Sequence, residues 1–344
     1  MKKWFTYITV IAFSLFIGTQ GIYAEDSSNE LMGGYTIEGI PNEHQIDKNV
    51  SYFYLEEHPN DTDQIKVKLI NDSNDSKVLN IKVTNANTNS NGLVDYTGLL
   101  KDHKLLKEPL NSIVKPQKEE VTLAPKSEEI VTFDLKMPSE KQDGIILGGI
   151  VVSESKDKSE KNENMAVGNT YSYTLGVLLT NDPNVKINQN ISVELENVGA
   201  ILSNGRKIVQ ANILNPNPYI FGEATVSGKI MNEDETKVIQ EAKKESVKIA
   251  PLSVFPFQFD WKKENLKPGT YIFEGLVKTS DNQWKFKKAF TITSEEANKI
   301  NDKSVFKVYI PNYLTYSVII IGIITLIDTI YIILRKRKSN INIS

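Results

Sequence analysis

The stretch Gln64–Ile70 reads QIKVKLI, and it decides the fold class of the chain. Its apolar residues Ile65, Val67 and Leu69 alternate with two lysines. Alternation with a period of two residues is typical of a β-strand that buries one face. The Asn/Asp/Ser run at 71–75 predicts a turn directly after the strand. We therefore expect a half-buried strand with the three apolar side chains pointing inward.

Similar runs recur on both sides of this strand. They lie at 35–40, 50–56, 78–83, 121–125, 130–138, 144–152 and 170–180. The last two, with the charged stretch Glu154–Asn164, predict a hairpin with a long solvated loop. Alternation fades between 98 and 118, where Leu99–Leu106 has a short helical pattern that indicates an insertion. About eight strands predict one immunoglobulin-like sandwich over residues 34–182.

A second strand series predicts a second sandwich over residues 185–301. Its runs lie at 191–195, 207–214, 223–231, 245–249, 254–261, 269–279 and 284–293. Turn residues such as Asn204-Gly205 separate them. A helical stretch, Ser294–Asn301, closes the series, and a stalk at 302–313 follows it. The predicted fold class is an all-β ectodomain of two consecutive immunoglobulin-like sandwiches plus one C-terminal transmembrane helix.

The predicted transmembrane helix is the apolar stretch 314–334, LTYSVIIIGIITLIDTIYIIL. As a helix it is about 31 Å long, which matches the hydrocarbon core of a bilayer. Four cations, Arg335 to Lys338, follow it at once, so the positive-inside bias places the tail 335–344 in the cytoplasm. Asp328 inside the span is costly. It is either a tolerated carboxylate that snorkels to the interface or a pairing site for another helix.

The start of the chain has the pattern of a secretory signal. Two lysines precede the apolar run Trp4–Ile17, and a small residue, Ala24, precedes an acidic stretch. This pattern predicts a signal peptide at 1–24 that is cut after Ala24; the alternative is an uncleaved anchor. The predicted location is the cell membrane, crossed once, with the ectodomain facing the cell wall.

Composition limits the class of partner. Six of the 40 Lys and Arg residues lie in the signal or after the span, and one of the 43 Asp and Glu residues lies in the span, which leaves an ectodomain charge of about −8. This sign argues against nucleic acid as a partner. The chain has no cysteine. Because exported animal proteins of this size usually carry disulfides, a bacterial surface is the better interpretation.

The sequence offers no recognisable catalytic or metal-binding motif. His44, His58 and His103 lie in turn or insertion segments without metal-site spacing, so we expect surface histidines. The Asp/Asn clusters at 61–63 and 71–75 lack the ligand spacing of calcium loops, and turns are expected there. No nucleophile or phosphate-loop motif occurs. The prediction is a non-enzymatic protein without cofactor or metal.

Several segments resemble the WxL-interacting proteins of Gram-positive bacteria. In the first half these are Tyr35–Gln45 (YTIEGIPNEHQ), Val50–Leu55, Thr84–Tyr96 and Gly144–Val151; in the second half they are Asn204–Arg206, Lys248–Phe255, Leu266–Tyr271 and Trp284–Thr293. The likeness runs in order from about residue 34 to the apolar span. The usual division of the family ends its first module near 155 and starts its second near 167, whereas the hairpin interpretation assigns 170–180 to the first sandwich.

The resemblance implies a binding function. In this family the first module is associated with peptidoglycan, and the second with host ligands, including matrix ligands, and with surface proteins that carry a WxL domain. The chain would then be a membrane-anchored adaptor that holds WxL-domain partners at the wall. Two alternatives remain: a chaperone-like assembly factor that acts by strand addition, and a wall-processing enzyme, which would release muropeptides.

Candidate contact residues lie in one polar loop and one strand. Asn87, Asn89, Asn91 and Tyr96 could offer amide hydrogen bonds and an aromatic face to a glycan. The alternative is that the asparagines at 89 and 91 merely form turns with Gly92. Trp284 is a further candidate, although its alternation with an apolar neighbour also fits a core position.

Overall fold

The computed structural model describes residues 32–155, 171–306 and 312–341. The predicted signal peptide lies outside the described residues, as does the greater part of the predicted solvated loop. The chain divides into two compact units. Unit 1 comprises the described residues up to Thr84, Leu110–Glu140 and those within Gly148–Leu179; unit 2 comprises Asn85–Pro109, Lys141–Leu147 and the described residues from Thr180 onward.

The described part of unit 1 contains two β-sheets. After a 3-10 turn at Met32–Gly34, its elements are β1 (Tyr35–Ile40), β2 (Phe53–Glu56), β3 (Thr62–Asn71), β4 (Lys77–Asn85), α1 (Leu110–Ile113), β7 (Val114–Pro116), β8 (Glu120–Leu123), β9 (Ser127–Lys136), β10 (Ile146–Glu154) and β11 (Ser172–Thr180). One sheet has the order β1-β3-β9-β7, and the other has the order β2-β11-β10-β4-β8. A few end residues of β4, β10 and β11 belong to unit 2.

Strand β3 lies inside its sheet, antiparallel to both neighbours. Its side chains at Ile65, Val67 and Leu69 are completely buried, as their alternation predicted. The second sheet contributes Leu79 and Val177 to the buried set. Both sheets therefore bury one face, the arrangement of a sandwich.

The predicted hairpin between 144–152 and 170–180 corresponds to β10 and β11, which are hydrogen-bonded neighbours in the five-stranded sheet. Tyr35 of β1 is fully buried, and its hydroxyl donates to Tyr171 O (2.8 Å) and to Val152 O (3.2 Å). Burial, followed by the charge of Glu154, raises the pKa of Tyr35 to about 12. This buried hydroxyl thus ties β10 and the residue just before β11 to β1.

Within its described residues, unit 2 contains three sheets. Its strands are β5 (Asn87–Thr88), β6 (Val94–Asp95), β12 (Glu194–Ser203), β13 (Arg206–Leu214), β14 (Phe221–Asn232), β15 (Val238–Ile249), β16 (Val254–Asp260), β17 (Gly269–Lys278) and β18 (Gln283–Ile292). The orders are β12-β13-β16, β15-β14-β17-β18 and the small pair β5-β6. The two larger sheets enclose an aromatic core, in which Phe257 and Phe259 of β16 meet edge to face at 5.0 Å and Phe273 comes from β17.

Several sequence predictions were wrong in detail. Strand β2 begins at Phe53 and not at 50, and β12 covers Glu194–Ser203 where 191–195 was expected. Strand β15 begins seven residues before the predicted run at 245, because no residue of its first half is buried and that half therefore carries no clear alternation. The segment Leu99–Leu106 forms no helix. Its backbone is held as a loop by contacts of its polar side chains, described below.

Towards the C-terminus the described residues form two further helices. Helix α2 (Ser294–Lys303) begins as predicted, and the Thr293 side chain caps it by accepting a hydrogen bond from Glu296 N. Helix α3 (Asn312–Ile341) continues beyond the predicted span into the predicted tail. Among the described residues, α3 is the one helix long and apolar enough to cross a membrane, with its best window at Tyr316–Ile333.

Candidate binding groove in unit 2

A groove of about 620 Å³ lies in unit 2 between the three-stranded sheet and the segment 85–109. This segment contains the insertion predicted around 99–106 and is called the insertion below. The insertion contributes Asn87, Thr88, Leu100, Lys101, Asp102, His103 and Lys104, and the sheet contributes Gln210, Asn212, Val254 and Pro256. Amide and charged groups thus alternate with apolar surface along one open concave site. Most of its lining residues are polar or charged, so the groove differs from the mainly apolar pockets that bind most small molecules.

The base of the insertion is fixed by a buried hydroxyl pair. Thr88 Oγ1 lies 2.7 Å from Ser253 Oγ and accepts a hydrogen bond from Ala250 N at 2.9 Å. Both hydroxyl residues are almost fully buried. Nearby, Lys248 N donates to Gly92 O at 2.8 Å. The β5–β6 hairpin is therefore held against the end of β15 by three polar contacts.

The wall of the groove is held by Asp102. Its two carboxylate oxygens accept hydrogen bonds from Asn85 Nδ2 (2.7 Å) and Asn87 Nδ2 (2.8 Å). The next residue, His103, places Nε2 3.0 Å from Glu196 Oε1 of β12. These contacts explain why the segment around Asp102 is a fixed loop and not the helix that its leucine pattern suggested.

Gln210 and Asn212, on the sheet side of the groove, belong to a row of four hydrogen-bonded amides. Gln258 donates to Gln210 Oε1 (2.8 Å), Gln210 donates to Asn212 Oδ1 (2.8 Å), and Asn212 donates to Asn197 Oδ1 (3.0 Å). Each of the three donating amides has a second N–H that this row does not use. The row is therefore a pre-ordered, uncharged surface that can donate and accept hydrogen bonds.

The structure brings only one predicted contact residue into the groove, Asn87. Asn89 forms a turn, because its Oδ1 accepts from the backbone N–H of Asn91 (2.9 Å). Asn91 is exposed, and its Oδ1 lies 3.4 Å from Lys244 Nζ. Tyr96 is half-buried and lies just after β6. Trp284 packs edge to face on Phe221 at 5.2 Å, beside the core of unit 2. Their roles as ligand contacts stay predictions.

Sequence reasoning missed the sheet side of the groove. Val209, Ala211 and Ile213 of β13 are buried, so Gln210 and Asn212 between them face outward. That alternation is visible in the sequence. The alternation does not reveal that the insertion, which is distant in the sequence, lies beside β13.

The histidines differ from the expected exposed set. Only His58 is exposed, whereas His103 pairs with Glu196 and His44 pairs with Glu57. The His44 and Glu57 contact belongs to unit 1, where Asp63 lies beside it. Burial raises the pKa of Glu57 to about 7, against the opposing effect of His44. Burial, the largest single effect, lowers the pKa of His44, but the hydrogen bond to Glu57 and the negative charges of Glu57, Asp63 and Glu43 together outweigh it, so the net direction is upward.

Paired β-sheets around apolar cores, together with an amide-lined groove, define a binding protein built on immunoglobulin-like sandwiches. Comparison with protein families agrees with this class. The WxL-interacting protein peptidoglycan binding domain matches residues 35–154, and the WxL-interacting protein host binding domain matches residues 162–302. The chain belongs to the WxL-interacting protein family. Both matching domains are binding domains, and a peptidoglycan-binding domain implies a location at the cell surface.

Similar solved structures include bacterial chaperones. The chain has 11% identity with the YadV chaperone (TM-score 0.28, 75% of this chain and 100% of that one). It has 11% with the E. coli chaperone DraB (0.26, 67% and 90%) and 12% with the Pseudomonas aeruginosa CupB2 chaperone (0.26, 66% and 92%). Scores this low carry no functional argument, and the chaperone alternative stays a prediction. No curated protein sequence matches the chain significantly.

The boundary between the two family domains does not follow the groove or the two structural units. Asn87 and Asp102 lie within the peptidoglycan binding domain match, whereas Gln210 and Asn212 lie within the host binding domain match. Strand β11 is hydrogen-bonded inside a sheet of unit 1, yet it falls within the host binding domain match. The groove is consequently lined by residues of both family domains.

Proposed function

We propose that this protein is a membrane-anchored adaptor that attaches to peptidoglycan and holds WxL-domain surface proteins at the Gram-positive cell wall. One observation carries the proposal: a peptidoglycan binding domain, a host binding domain and an apolar helix follow one another in a single chain. Binding domains joined to such a helix suit retention of partners at a surface.

The membrane part of the proposal rests on α3. Its window Tyr316–Ile333 has a mean hydropathy of 2.2, and four cations follow at 335–338. A helix satisfies its own backbone hydrogen bonds, which the hydrocarbon region requires. The cations favour a cytoplasmic C-terminus. The two units would then face the cell wall.

The groove in unit 2 is the proposed contact for a neutral polar ligand, with the glycan strand of peptidoglycan as the first choice. Sugars present many hydroxyl groups that both donate and accept, and the amides of Gln210 and Asn212 can do the same. Leu100, Val254 and Pro256 supply the apolar surface on which the C–H face of a sugar can lie. The anchored Asp102 adds a carboxylate beside Asn87.

The proposal is tested with the purified full chain in detergent micelles. One portion is sedimented with washed sacculi from a Gram-positive bacterium, and a second is mixed with an immobilised WxL-domain protein. We expect retention on both, with a dissociation constant that can be measured by titration. Retention on neither removes the adaptor function. Retention on sacculi alone would contradict binding to WxL-domain proteins and would support attachment to peptidoglycan.

A further inference from the structure

We propose that His44, Glu57 and Asp63 of unit 1 form a binding site for a divalent transition-metal ion of the Zn²⁺ type. His44 Nδ1 lies 3.0 Å from Glu57 Oε1 and 3.8 Å from Asp63 Oδ2. One ligand atom from each residue lies within 4.8 Å of the other two. This site is separate from the groove of unit 2 and from the proposed adaptor function.

The spacing of these atoms fits a small ion. Ligands bound at about 2.0–2.1 Å with tetrahedral angles lie roughly 3.4 Å from each other. The two distances from His44 Nδ1, 3.0 and 3.8 Å, lie on either side of that value. Because the three ligand atoms all lie within 4.8 Å of one another, small side-chain movements bring the imidazole nitrogen and both carboxylates onto one ion.

The donor set selects the class of metal. One imidazole nitrogen and two carboxylate oxygens suit Zn²⁺ and similar ions. Ca²⁺ takes six to eight oxygen ligands, and this cluster supplies one nitrogen and too few oxygens. Three protein ligands leave a fourth position for water. The His44 and Asp63 side chains are 35% and 23% exposed, which leaves a path for an ion to enter.

Burial of Glu57 gives the ion an energetic role. Its side chain is completely buried. Removing an ionised carboxylate from water is costly unless a cation compensates it. A divalent ion between Glu57 and Asp63 would neutralise both carboxylates and leave His44 neutral, the form in which imidazole coordinates a metal.

The backbone holds the three side chains in place. Glu56 N donates to His44 O at 3.1 Å, which sets His44 opposite the end of β2. The N–H of His44 donates to Asn42 Oδ1 at 3.1 Å, and Asn42 Nδ2 in turn donates to Asp63 Oδ2. Hydrogen bonds from neighbouring groups orient metal ligands in this way, and losing one commonly lowers metal affinity 10- to 100-fold. The site is thus supported before any ion binds.

The test uses the untagged full chain in detergent, treated with EDTA and then dialysed, so that no histidine tag competes for metal. Zn²⁺ is titrated calorimetrically, and Ca²⁺ is titrated in parallel. We expect one Zn²⁺ per chain and no saturable Ca²⁺ binding. His44→Gln is expected to weaken Zn²⁺ binding by more than about 100-fold, since it removes a direct ligand.

His58→Gln is the matched control, because His58 is exposed and lies one position after Glu57. It should bind Zn²⁺ as the unaltered chain does. Circular dichroism of the metal-free His44→Gln variant establishes that it folds, and Asp63→Asn provides a second ligand variant that should also lose affinity. The proposal is overturned if the unaltered chain binds no Zn²⁺, if Ca²⁺ binds in its place, or if a folded His44→Gln variant binds as tightly as the control.

Discussion

The hydroxyl oxygens of Thr88 and Ser253 lie 2.7 Å apart, although 165 positions separate these residues in the sequence. Thr88 lies in the insertion and Ser253 lies just before β16, and both belong to unit 2. Ser253 Oγ also donates to Ala250 O at 3.1 Å, and Ala250 N donates to Thr88 Oγ1. The contact therefore closes a small buried network that sets the position of the groove wall.

Thr88→Val should destabilise unit 2 because it leaves the Ala250 N–H buried without its acceptor. Such an unsatisfied group costs about 1–3 kcal/mol. Valine has nearly the shape of threonine, so packing changes little. The measurement is hydrogen exchange of the Ala250 amide, which should become faster, together with urea unfolding. Thr291→Val on the exposed face of β18 is the control and should stay within about 0.5 kcal/mol. Equal stability of the two variants would contradict the network.

Gly92→Ala should loosen the same insertion for a different reason. Gly92 has φ of +76°, and an added Cβ would lie 2.9 Å from Val247 Cγ2. Non-glycine residues in such a backbone conformation cost about 1–3 kcal/mol, before any steric cost. We expect a lower melting temperature and faster proteolysis within 85–109.

Gly199→Ala in β12 is the control for that experiment. Among the described residues, no atom beyond Gly199 and its two chain neighbours lies within 4 Å of its added Cβ, and its φ is not positive. It should leave both the melting temperature and proteolysis of the insertion nearly unchanged. If Gly92→Ala behaves in the same way, the hairpin has more freedom than its contact with Val247 implies.

Local patterns in the sequence predicted the strands of both units well, but long-range contacts set the candidate sites. The alternation in β3 is sufficient to place Ile65 in the core, because one buried face dictates a period of two. Nothing local predicts that Asp102 pairs with Asn87 or that His44 meets Asp63, because turns of the chain bring them together. The contact of the fully buried Lys207 likewise could not be predicted from the local sequence. Its ammonium donates to Phe306 O at 2.8 Å, a partner 99 residues away.

Replacing the amides of the groove should weaken attachment to the wall. Each of Gln210→Ala and Asn212→Ala removes a hydrogen-bonding group and interrupts the amide row that Gln258 begins. A net loss of about 1 kcal/mol per hydrogen bond corresponds to roughly a fivefold weaker affinity. The measurement is sedimentation of the full chain with sacculi over a concentration series.

Gln283→Ala is the matched control for the groove, since Gln283 is an exposed glutamine on β18 of the other large sheet. It should bind sacculi with unchanged affinity. If a groove variant binds sacculi as tightly as this control, the glycan contact lies elsewhere on the protein. A parallel measurement with an immobilised WxL-domain protein shows whether the same amides also serve that partner.

The absence of cysteine makes the orientation of α3 directly measurable. Ser280→Cys places a thiol on an exposed turn of unit 2, and Ser339→Cys places one after the four cations. In intact cells we expect a membrane-impermeant maleimide to label the first variant and not the second, because the cations favour the cytoplasmic side. The second should be labelled after the cells are permeabilised, which controls for thiol reactivity. Labelling of both thiols in intact cells would show that α3 does not cross the membrane, and labelling of Ser339→Cys alone would reverse the proposed orientation.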